Sequence, residues 1–141
     1  QQIIREMPFT EDELDKWCRV FGQLRRCYLY IDEVHNWMSA NYIPEVLQHL
    51  IKWHVTHSNC GIVVAAHKAK EIHDQMFTQT DNYFIFSYGE HEDAKFNRVS
   101  IPDKHRVTTL DPESYRFLYY KDVAGADSEI RGPVPIPAHL K

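Results

Sequence analysis

CYLYIDEVHNWM, residues Cys27–Met38, is the stretch on which the reading of the whole chain turns. Cys27–Ile31 is a short apolar and aromatic run with the composition of a strand, and it ends on two adjacent acids, Asp32 and Glu33. In open α/β sheets ligands bind beyond the carboxyl ends of the strands, so these acids stand where chemistry is done. An aspartate there suits a Mg²⁺ ion, held directly or through water. A second acid suits the orienting and polarising of an attacking water, the division of labour of nucleotide hydrolysis. The competing reading is that the acids only cap the next helix, and an apolar run followed by Asp-Glu does not by itself choose between the two.

The flanking sequence places this strand in an alternating pattern. Thr10 followed by Glu11, Asp12 and Glu13 is a capping-box start, and Leu14, Trp17, Cys18, Phe21 and Leu24 recur at helical spacing, which predicts a helix of about four turns closed by Arg25 and Arg26. After the acids, Asn41 and Pro44 are start signals for a second amphipathic helix carrying Ile43, Val46, Leu47, Leu50 and Ile51, which ends near His57 because Ser58–Gly61 is turn chemistry. GIVVAA, Gly61–Ala66, has the pattern of a strand buried on both faces in a parallel sheet. A short helix over Lys70–Met76 and a strand over Tyr83–Tyr88 continue the order. GEHEDAKFN predicts a loop or short helix, and FNRVSIP and YRFLYYKD predict two further strands. The alternation predicts an α/β layer sandwich with right-handed crossovers. RGPVPIPAHL, with three prolines, predicts no regular element. The expected organisation is a domain over residues 1–130 and an extended proline-rich tail over 131–141.

Composition narrows the function classes. The 141 residues include 16 basic and 20 acidic side chains, a formal net charge of -4, so no global electrostatic signature of a nucleic-acid binder is present and any DNA contact must come from a local patch. Cys18, Cys27 and Cys60 are odd in number and widely spaced in apolar surroundings, the pattern of reduced thiols in a cytosol-like compartment. No run approaches the ~18 apolar residues a membrane span needs, and the first residues lack a signal-peptide pattern. Nine histidines invite a metal, yet the spacing of His49, His54 and His57 does not bring all three to one helix face, and no nearby Cys or acid completes a tetrahedral set.

YLYIDE has the form of a Walker B motif. With it, the segment Leu29–Phe86 resembles the HerA/FtsK class of P-loop ATPases, which includes DNA translocases, viral genome-packaging ATPases and Zot-like phage assembly proteins. The resemblance rests on YLYIDEVHNWM, the amphipathic helix after it, HSNCGIVVAAHKAKEIHDQMF and TDNYFIFSY, in that order. It implies a RecA-like P-loop NTPase fold, a three-layer sandwich with a mainly parallel sheet. It also implies ATP and Mg²⁺ as ligands, DNA as a partner, a homo-oligomeric ring, and capsid or assembly proteins as further partners in the cytoplasm, the host's if the protein is viral. By the same resemblance Asp32 is the magnesium-linked acid, Glu33 the catalytic carboxylate, and His67 the sensor of the γ-phosphate, in a position where family members often carry glutamine. Lys68 and Lys70, just after the sensor strand, are candidate DNA contacts by position alone.

Two departures from the family pattern stand out. A P-loop reads G-x-x-x-x-G-K-[ST], and none of the five glycines, Gly22, Gly61, Gly89, Gly125 and Gly132, lies in such a pattern. Without the strand that carries it, buried backbone groups at the centre of the sheet would go unpaired at about 1–3 kcal/mol each. The expectation is therefore that the native protein extends N-terminally and that the N-terminal part of the domain is missing here. The second departure is that no arginine occurs between Arg26 and Arg98, the interval in which relatives tend to place the trans-acting arginine. Lys52, His54 and Arg98 are the available candidates, although neither lysine nor histidine offers the planar fork of guanidinium, and Arg98 reads first as a solvated strand residue and only second as a trans-acting arginine. DEVH also matches the DExH box of superfamily 2 helicases, but the remaining ~70 residues are too few for the second domain those enzymes need. A non-enzymatic rival is a degenerate ATPase fold kept as an assembly scaffold. Export of protein cargo is a third possibility.

Overall fold

A computed structural model describes residues 10–89, 91 and 93–135. These residues form two compact units, the first ending at Phe77 and the second beginning at Thr78.

In the first unit, helix α1 spans Glu11–Phe21. Its start follows the sequence signal: Thr10 Oγ1 accepts the Glu13 N–H while a Glu13 carboxylate oxygen accepts the Thr10 N–H, so two backbone donors of the first turn are satisfied reciprocally. The helix is shorter than the expected four turns. It stops at Gly22, so Leu24 stays 47% exposed and Arg25 and Arg26 lie beyond it. Leu14, Cys18 and Phe21 form its buried stripe.

Strand β1 (Tyr28–Ile31) pairs in parallel with β2 (Gly61–Val64), in the register Tyr28 to Gly61 and Ile31 to Val64. Between them run α2 (Glu45–His49), a π-helical turn (Leu50–His54) and α3 (Val55–Ser58), a continuous helical segment that ends at Asn59 in the left-handed region, φ 53°. Leu47 and Leu50 from this segment meet Leu14, Cys18, Phe21, Ile31 and Val34 in one core. Among the described residues only one face of the strand pair is covered. Tyr28, Tyr30 and Val63, at matching register positions, are exposed, which corrects the expectation that Gly61–Ala66 is buried on both faces. Gly61 leaves room for the Tyr28 ring on that open face, since a Cβ there would fall within 2.3 Å of it. Beyond β2, a 3-10 turn at Ala69–Glu71 and helix α4 (Asp74–Thr78) replace the single predicted helix over Lys70–Met76.

The second unit holds an antiparallel sheet of β3 (Asn82–Ile85), β4 (Phe117–Lys121) and β5 (Glu129–Arg131), in the order β3-β4-β5. Among the described residues the α/β fold thus combines one parallel pair with a separate antiparallel sheet, and a mainly parallel sheet is not what it shows. The reason lies in β3. Its burial alternates, with Tyr83 and Ile85 inside and Phe84 59% exposed, as antiparallel strands with one open face do. Aromatic residues on the open face hide that alternation from a sequence reading. FNRVSIP is likewise not a strand: Asp93–Phe96 is helix α5 and Asn97–Val99 a 3-10 turn. Phe96 and Val99 are buried three residues apart, a helical spacing. Strand β5 carries no apolar pattern, and its last residue, Arg131, is the first of the proline-rich stretch. Glu90 and Glu92 of the predicted loop, and residues 136–141 of the predicted tail, lie outside the described residues.

Candidate functional site

The parallel pairing of β1 and β2 brings their carboxyl ends side by side, and the acids follow directly. Ala65 N–H donates to Ile31 O at 3.0 Å and Val34 N–H to Ala65 O at 2.9 Å, so the backbone crosses from one strand end to the other. Glu33 between them takes a left-handed conformation, φ 48° and ψ 45°, which is uncommon for a residue with a side chain. This bend starts the 3-10 turn Val34–Asn36, whose Val34 is fully buried. Asp32 Oδ1 accepts the Glu33 N–H at 3.0 Å, and the Asp32 side chain remains exposed.

Two imidazoles meet the Glu33 carboxylate. His67, three residues past the end of β2, places Nε2 2.8 Å from Glu33 Oε1, and His35 places Nε2 3.3 Å from Oε2. The two rings lie 5.8 Å apart. The expected catalytic carboxylate and the expected sensor are therefore in direct contact, and a third residue, His35, joins them. Its signal was present in DEVH, where it read as part of a helicase box. What the letters do not show is that the left-handed bend at Glu33 curls the chain so that positions 33 and 35 face each other.

The other candidates are not gathered here in the same way. Lys68 pairs with Glu71 at 3.4 Å, and Lys70 is exposed on the adjoining 3-10 turn. Lys52 and His54 lie on the π-helical turn that leads to the amino end of β2, the opposite pole of the strands. His54 is built into the helix packing: its ring stands edge-on to Phe21 at 5.2 Å, and Nδ1 lies 3.0 Å from Ser58 Oγ. Arg98 sits exposed in the 3-10 turn Asn97–Val99 of the second unit, not on a strand.

The exposed Asp32 carboxylate suits a hydrated Mg²⁺. Among the described residues no group of three or more His, Cys, Asp or Glu side chains could hold a metal by itself. The ion that fits is one completed by water and phosphate oxygens, the usual habit of Mg²⁺ at phosphate sites. No glycine-rich cradle for the phosphates is present in the sequence.

No protein-family model and no curated protein matches the chain. Solved structures do. The genome packaging NTPase B204 of Sulfolobus turreted icosahedral virus 2, in complex with ATP-gammaS, superposes with a TM-score of 0.72 at 15% identity, over 89% of this chain and 63% of that one. Its sulfate complex gives a TM-score of 0.74 at 18% identity, over 90% and 65%. B204 of Sulfolobus turreted icosahedral virus, described as a DNA-packaging ATPase, gives 0.72 at 14% identity, over 94% and 66%. The chain has the fold of a viral genome-packaging NTPase. The resemblance drawn from Leu29–Phe86 thus holds as a likeness of fold, and the chain spans 63–66% of the length of these structures. Among the described residues no helix is long and apolar enough to cross a membrane.

Proposed function

We propose that this chain is part of an ATPase whose hydrolytic side is built by Asp32, Glu33 and His67, and that it works in genome packaging or DNA translocation. The observation that carries this reading is the meeting of Glu33 with His67, 2.8 Å apart, at the carboxyl ends of two hydrogen-bonded parallel strands, with Asp32 exposed beside them. Glu33 accepts a proton from the attacking water, and His67 reports the γ-phosphate to it across the strand ends. Mg²⁺ linked to Asp32 would supply charge neutralisation on the phosphate oxygens. The fold shared with packaging NTPases crystallised with ATP-gammaS and AMPPCP supports nucleotide as the ligand.

On this reading the phosphate cradle comes from outside residues 1–141 and completes a RecA-like three-layer sandwich. The complete protein acts on DNA as a homo-oligomeric ring in the cytoplasm, with capsid or assembly proteins as partners. Lys68 and Lys70 face DNA, and a cation of a neighbouring subunit, Arg98 or less aptly Lys52 or His54, reaches the phosphate in trans.

The test is Glu33→Gln in the complete protein. Turnover should fall by about 10²–10⁴-fold while nucleotide affinity stays within a few-fold; an unchanged rate overturns the assignment. Stimulation of wild-type hydrolysis by duplex DNA supports DNA as cargo, and its absence favours protein export.

A further inference from the structure

Both oxygens of the Glu33 carboxylate are occupied, and by residues that are anchored very differently. The His67 side chain is 76% exposed and stands on the chain leaving β2. The His35 side chain is 23% exposed. It rides on the turn Val34–Asn36, whose Val34 is wholly buried and is tied by its N–H to Ala65 O at 2.9 Å. Moving the His35 backbone would pull Val34 out of the core, whereas the exposed His67 ring can swing into solvent at the cost of its ring contact with His35.

The protonation pattern of His35 is constrained as well. Its Nδ1 is buried with no hydrogen-bond partner. A bare ring nitrogen in that place leaves one acceptor unmatched. A proton there would bury an unsatisfied donor and would leave Nε2 as a lone pair aimed at a carboxylate oxygen 3.3 Å away. The tautomer with its proton on Nε2, facing Glu33, is the favourable one.

We propose that His35 is a positioning residue that holds Glu33 through Oε2, while His67 is a releasable latch that occupies Oε1 until it turns towards the phosphate. This rests on Glu33 being the carboxylate that activates water. At 2.8 Å the His67 ring takes one of the two acceptor positions of Oε1, so in this arrangement it competes with water for that oxygen. When His67 leaves, Oε1 is uncovered and the contact with His35 keeps the side chain aimed. Without His35 the freed carboxylate would have neither partner, and a misplacement on the order of 1 Å costs up to about 10²-fold in rate.

The experiment combines kinetics and ¹⁵N-histidine NMR on the complete protein. His35→Ala should lower kcat by about 10-fold or more with KM unchanged, and His35→Gln, whose amide nitrogen stands in for Nε2, should restore most of it. In the nucleotide-free wild type, the His35 spectrum should show the proton on Nε2, facing Glu33, and Glu33→Gln should move the His35 and His67 signals together. A His35 ring protonated on Nδ1, or a His35→Ala protein that turns over like wild type, overturns the proposal. If His35→Ala does not fold, the wild-type tautomer and the His35→Gln rate still decide. An active Glu33→Gln enzyme whose histidine signals move as expected would instead refute the role of Glu33 in hydrolysis and leave the His35 contact standing as structure only, which also overturns the positioning role.

Discussion

His67 Nε2 lies 2.8 Å from Glu33 Oε1, a contact between residues that leave two different strands. The in-register parallel pairing of Ile31 with Val64 makes it possible, because two residues past one strand end and three past the other the chains still run side by side. If His67 reads the γ-phosphate, it should contribute to binding ATP and not ADP. A hydrogen bond to a charged group contributes about 1.5–3 kcal/mol, so His67→Ala should lose at least about tenfold of the preference for ATP over ADP. Titration of the complete protein with both nucleotides measures this, and an unchanged ratio removes the sensor role.

Asp32 is exposed and engages its Oδ1 with the Glu33 N–H, which leaves the carboxylate open to a hydrated cation. Asp32→Asn keeps the shape and removes the charge. The variant should need a several-fold higher Mg²⁺ concentration for half-maximal hydrolysis, with the ATP dependence at saturating Mg²⁺ little altered. A Mg²⁺ titration identical to wild type would show that Asp32 does not meet the ion.

Leu47 is fully buried in the core that sets β1 and β2 against α1, whereas Val63 is 45% exposed on the open sheet face. Leu47→Ala should destabilise the fold by about 2–5 kcal/mol. Val63→Ala should cost less than about 1 kcal/mol. Urea unfolding of both variants compares them, and equal losses would mean that the open face is covered in solution.

The sequence was readable where one signal controls one element. The capping box at Thr10, the apolar runs of β1 and β2 and the helical spacing through Leu47 and Leu50 each rest on local chemistry, and each is present. The position of the acid pair was legible for the same reason, since it follows directly from where the apolar run of β1 ends. The parallel pairing of β2 was legible from its apolar run, but the pairing direction of β3 was not. Tyr83–Phe86 is apolar at every position, so nothing in it marks Phe84 as facing out or β3 as antiparallel to β4. His35 was missed because its contact depends on the left-handed backbone of Glu33, and no residue type at position 33 announces that conformation.

The cysteines show the same limit and yield a sharper test. Cys27 and Cys60 are far apart in sequence, yet each precedes a strand of the parallel pair, Gly61 N–H donates to Cys27 O at 3.0 Å, and the two Sγ atoms lie 3.6 Å apart as free thiols. A disulfide needs about 2.05 Å, so a modest closing movement suffices. Diamide should take one hydrogen from each thiol, forming the Cys27–Cys60 bond and leaving the reduced hydrazine. Burial and the neighbouring Cys60 hold the Cys27 thiol above its ordinary range, so less thiolate is present at neutral pH and the reaction should speed up as pH rises. Cys18 should stay reduced throughout: it is fully buried, and burial first and Asp15 second push its thiol up to about 12. Non-reducing peptide mapping by mass spectrometry after oxidation at pH 7 and pH 9 reads both outcomes. A Cys18-containing disulfide, or no bond between Cys27 and Cys60 at either pH, would contradict the packing of β1 against β2 described above.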